Sequence, residues 1–138
     1  MDDRTVAYVV AAQPIFEDLR QVAGQVAGLL VLSATGSKDA TPDHPMLTSA
    51  AQVFAQAAAA IDRIAVSTLG KPHHESLRDA REELRLALTA ARGWPIDIDA
   101  VMIPLRHAYA HLQDASDRLP GFPMVSFEQA CCAAAPKL

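Results

Sequence analysis

At 138 residues, 51% of them hydrophobic but only 5% aromatic, the chain suits one domain with its own apolar core. The Val, Ile, Tyr and Thr runs of strands are missing, so the expected class is all-α. A formal net charge of −4 and a pI near 5.6 argue against a general nucleic-acid binder, which carries an excess of Lys and Arg.

Acidic Asp2 and Asp3 stand where a signal peptide has basic residues, and no uncharged run reaches the roughly 18 residues of a membrane span. A cytoplasmic location is therefore expected. Cys131 and Cys132 are the only cysteines. Being adjacent, they cannot close loops, and they read as small hydrophobes near the chain end rather than as a redox pair.

The first helix starts near Asp2 or Asp3, whose carboxylates suit a helix N-terminus, and runs to Ser33–Gly36 with a kink or fresh start at Gln13–Pro14. At about 100° per residue, Tyr8, Ala12, Ile15, Leu19, Val22, Ala23, Val26 and Leu30 form one core stripe. Gly24 and Gly28 lie on the opposite side, near Val31 and Leu32, so the second half of the helix is apolar or small almost all round. Glycine inside a helix costs roughly 0.5–1 kcal/mol relative to alanine, and a close-packed second surface explains two of them four apart. Either another helix of this chain or a second copy supplies that surface.

Ser37–Pro45 reads as a polar loop with a mobile tip. Helix two is predicted from Pro45 to Leu69, with Gly70 as its C′ residue and the Ala57–Ala60 run as a surface for Gly24 and Gly28. Helix three runs from Pro72 through Leu77, Ala80, Leu84, Ala87, Leu88 and Ala91 to Gly93, and is expected to be the most exposed of the four. Asp97 or Asp99 caps helix four, whose stripe is Ile98, Val101, Met102, Leu105, Tyr109, Leu112, Ser116 and Leu119, with Pro104 a possible kink. After the break at Leu119–Pro123, Ser126 and Gln129 form a capping-box pattern for a short fifth helix, Phe127 to Ala135. Phe122, Met124, Val125 and Phe127 are its anchors. The expected architecture is one up-and-down four-helix bundle carrying that C-terminal helix.

His107 and His111, four apart, put two imidazoles on one side of helix four with Asp114 a turn further, a spacing able to hold a metal. The wheel turns the group away from the Leu105 stripe, whereas metal centres in bundles point inward, and no E-x-x-H pair is present. An exposed histidine on a helical bundle resembles histidine phosphotransfer domains in architecture alone. In those domains the histidine is followed two positions on by lysine and then glycine. Here Ala108-Tyr109-Ala110 follows His107 and Leu112-Gln113-Asp114 follows His111, which puts the transfer chemistry implied for either histidine in doubt.

His73 and His74 open helix three, where the dipole disfavours their charged forms, and they read as neutral surface histidines. Arg78, Arg81, Arg85 and Arg92 form a strip that either meets an acidic partner or pairs with neighbours such as Glu82. No nucleophile elbow, phosphate loop or glycine fingerprint is present, and no cofactor is implied. The expected function is a non-enzymatic interaction or scaffold protein, a homodimer through the Gly24, Gly28, Val31 and Leu32 face. A metal- or small-molecule-binding bundle is the competing expectation.

Overall fold

A computed structural model, describing residues 1–124, contains four α-helices and, among the described residues, no strand: α1 Asp3–Ala34, α2 Pro45–Arg63, α3 Lys71–Ala91 and α4 Ile98–Arg118. The predicted fifth helix, with Val125, Phe127, Cys131 and Cys132, lies outside the described residues.

Side-chain caps start three of the four helices. The Asp2 carboxylate accepts from the Thr5 N–H at 2.8 Å, and hydrogen bonding from Thr5, side chain as well as backbone, holds the Asp2 carboxyl below its ordinary range. Asp97 caps α4 in the same way, accepting from the Ala100 N–H at 3.2 Å. At α2 the His44 side chain is the cap: its Nδ1 accepts from the Met46 N–H at 3.0 Å, with Pro45 in the first turn. α1 runs through Pro14 and α4 through Pro104 without a restart. Val10 and Ala100, whose carbonyls those prolines leave without an amide partner, are both solvent-exposed residues, so water can serve them.

α1 touches all three other helices, as α3 does, whereas α2 and α4 do not meet. This explains why α1 buries more than its predicted stripe. Every residue of that stripe is buried, and so are Thr5, Phe16 and Leu29. Contact order along the helices makes α1 and α2 antiparallel: Thr5 Oγ1 donates to Ser67 Oγ at 3.1 Å, and Gln25 Nε2 to Ser49 Oγ at 3.2 Å. α3 and α4 form the most extensive pairing, also antiparallel, with Glu83 beside His107 at one level and His73 beside Phe122 at another.

Several expectations need correction. α3 is not the most exposed helix: eight of its residues are buried, against Leu47, Ala50, Ala57 and Ile61 on α2. The Ala57–Ala60 run does not face the glycines, because the antiparallel register brings the start of α2 there instead. A Cβ on Gly28 would sit 3.0 Å from the Met46 sulfur. α2 also stops at Arg63 rather than Leu69. Ile64 is extended, and the connector that follows is held by Ser67, whose hydroxyl accepts both from Thr5 and from the Gly70 N–H.

Gly70 belongs to the start of α3, and space rather than a left-handed backbone requires it. A Cβ there would lie 2.7 Å from Tyr8 Cδ1 and 3.0 Å from Ser67 Oγ. Gly70→Ala should therefore lower stability by about 1–3 kcal/mol in urea unfolding, the range for overpacking a close-fitted site. An unchanged midpoint would show that the Tyr8 ring has room to move aside.

Candidate functional site

Two neighbouring features stand at the end of the molecule where α1 begins: a buried polar cluster and an open cleft. The cluster centres on His73, which is 0% exposed, contrary to the surface position expected for it. It stands four residues before Leu77, in register with the apolar stripe of α3, so helix geometry turns it inward. The Tyr8 hydroxyl lies 2.7 Å from its Nδ1, and the two rings meet edge to face at 5.5 Å. Phe122, from the segment after α4, covers the imidazole at 4.0 Å between centroids and meets Phe16 at 5.4 Å.

With Tyr8 donating to Nδ1, the imidazole carries its proton on Nε2. That atom is buried without a hydrogen-bond partner among the described residues. Burial, reinforced by the charges of His74 and Arg118, pushes the His73 pKa down to about 4. Burial likewise raises the Tyr8 phenol above its ordinary value. A fully enclosed, neutral imidazole of this kind neither accepts a proton near neutral pH nor reaches a substrate, so its role is to join α1 to α3.

The cleft, about 480 Å³, lies between α1 and the α2–α3 connector. Ala7 and Ala11 form one wall, Ala65 and Val66 the other, the Tyr8 ring lies between them, and Arg4 and Ser67 add the polar groups. Nothing in composition or periodicity pointed to this place, because a connector read as helix supplies three of its seven lining residues.

At the other end of α1 is a second groove, about 250 Å³, between Ala27, Leu30, Val31 and Ala34 on α1 and Ile98, Met102 and Leu105 on α4. All of its lining side chains are apolar. The four residues singled out on α1 part company here. Met46 covers Gly28, Leu32 packs partly into the core, Gly24 has none of the described residues within 4 Å of a would-be Cβ, and Val31 is 61% exposed.

His107, His111 and Asp114 do not gather. Among the described residues, no three His, Cys, Asp or Glu side chains come together as a group that could hold a metal ion. His107 instead approaches Glu83, Nδ1 to Oε1 at 3.6 Å. Of the arginine strip, Arg81 bonds the Asp62 carboxylate at 2.8 Å and the Ala58 carbonyl at 3.2 Å, and Arg85 pairs with Glu82. Arg78 shares a shallow depression with Glu75, Asp79 and Glu82. Acids are thus interleaved with these arginines.

No helix among the described residues is long and apolar enough to cross a membrane. Compared with known proteins, the chain matches no family model, no curated protein and no solved structure.

The His73 cluster makes stability depend on pH. In the unfolded chain a histidine takes up its proton near pH 6.5, whereas folded His73 stays neutral to about pH 4. Below 6.5 the unfolded state binds the extra proton, so folding stability falls as pH drops from 6.5 towards 4 and this contribution then levels off. The full loss should be on the order of 3 kcal/mol. The slope between pH 6.5 and 5, above the carboxylate range, is the part to measure, and His73→Leu should remove it. A variant with the parent's slope would place the dependence elsewhere. Tyr8→Phe, which leaves Nδ1 unpaired, should lower stability by about 1–3 kcal/mol at neutral pH.

Proposed function

We propose that the chain is a cytoplasmic, single-domain, up-and-down four-helix bundle that works as a non-enzymatic interaction module by pairing with a second copy of itself. The observation that carries this reading is the outward face of α1 near its C-terminal end. Between Arg20 and Lys38 the sequence has no charged residue. Val31 stands 61% exposed there, while Gly24, two turns back, has nothing among the described residues within 4 Å of a would-be Cβ.

A knob and a hollow on one helix are self-complementary under a two-fold axis, because whatever one copy offers the other receives. With the axis beside Ala27 and Gly28, Val31 enters the hollow at the partner subunit's Gly24, and the reverse contact forms at once. The apolar groove beside Val31 extends the buried area towards Ile98 and Met102. Small residues permit close approach of the two backbones, and Val31 leaves water on association. Support for a non-enzymatic role comes from the interior, where the one buried imidazole is sealed behind Tyr8 and Phe122.

Sedimentation equilibrium at micromolar concentration tests the proposal. The parent chain should be dimeric and Val31→Glu monomeric with unchanged helicity. Gly24→Leu should strengthen the isolated helix yet weaken the dimer by filling the hollow. A monomeric parent sinks the proposal; a Val31→Glu variant that still dimerises moves the interface to another face.

A further inference from the structure

The cleft at the start of α1 has a chemistry of its own, independent of the proposed dimer face. Its walls are apolar: Ala7, Ala11, Ala65 and Val66, with the almost fully buried Tyr8 beneath them. Ser67 has both acceptor positions filled, by the Thr5 hydroxyl at 3.1 Å and the Gly70 N–H at 3.0 Å, so its own hydroxyl hydrogen remains as a donor. Arg4 is exposed and has no ion pair among the described residues. Arg4 and Ser67 therefore both offer hydrogens, one with a full positive charge, and among the described residues no carboxylate lines the cleft. A volume of about 480 Å³ falls within the roughly 300–1,000 Å³ of small-molecule sites.

We propose that this cleft binds an amphipathic carboxylate, its hydrocarbon chain lying between the Ala7–Ala11 and Ala65–Val66 walls and its head group held by Arg4 and Ser67. The walls select an apolar body, and the donor-only polar end selects an anion over an alcohol or an amine. The site is preformed: the Gly70–Tyr8 contact and the Thr5–Ser67–Gly70 hydrogen bonds fix its floor and polar end, so little ordering accompanies binding.

Calorimetric titration of the full chain with decanoate tests this. One molecule of decanoate per chain should bind saturably, with decanol and decylamine each weaker by about tenfold or more. Arg4→Gln should bring decanoate down to the level of decanol while leaving decanol unchanged. Ala7→Trp fills the cleft from an exposed position, so it should abolish binding with unchanged helicity and unchanged stability in the absence of ligand. Absence of saturable binding overturns the proposal, as does adsorption of several molecules per chain. Decanol or decylamine binding as tightly as decanoate removes the anion selectivity, and undiminished binding by Ala7→Trp removes the location. The oligomeric state of the chain bears on none of these outcomes.

Discussion

The tightest constraint in the molecule is the wedging of the Tyr8 ring against the bare backbone of Gly70. It forces a glycine between α2 and α3 and sets how closely the start of α1 approaches that connector. It also delivers the phenol to His73, 2.7 Å away. From that contact follow the early end of α2, the turn organised by Ser67, and the inward rotation of the first turn of α3. Phe122 then stacks on His73, which ties the segment after α4 to the same point. Four separate pieces of chain are thus joined through one ring, its hydroxyl and one imidazole.

An imidazole in such a place is an unusual choice, since burying a polar atom without a partner carries a penalty that an apolar residue of similar size avoids. What it provides is direction. A hydrogen bond between Tyr8 and His73 has one geometry, whereas the surrounding Leu, Val and Ala contacts tolerate sliding. The rest of the core is largely small and aliphatic, with buried alanines on every helix. Small side chains allow close helix packing but specify register poorly, and the polar contacts supply what they lack: Tyr8 with His73, Thr5 with Ser67, Gln25 with Ser49.

The two ends of α1 are chemically unlike. Near its start, a cleft with apolar walls ends in a serine donor and an arginine. Near its end, a groove without polar side chains opens beside an exposed valine and an uncovered glycine. Between them the helix buries one face against its three neighbours and leaves Gln13, Glu17 and Gln21 in solvent.

The sequence by itself determined the all-α class, the four helices and nearly all of the buried stripe on α1, because 3.6-residue periodicity and capping residues act within one or two turns of chain. It also singled out Gly24, Gly28, Val31 and Leu32 as anomalous for a one-sided helix, and Phe122 as an anchor. It read α2 six residues too long, put His73 on the surface and set Ala57–Ala60 against the wrong part of α1. The end of α2 and its register on α1 depend on contacts between residues distant in sequence, Thr5 with Ser67 and Gln25 with Ser49, whereas the burial of His73 was legible in its spacing of four from Leu77. Only the tertiary structure decided which of the two glycines α2 covers, because that depends on the register in which α2 folds back along α1: Met46 lands on Gly28, and none of the described residues lands on Gly24.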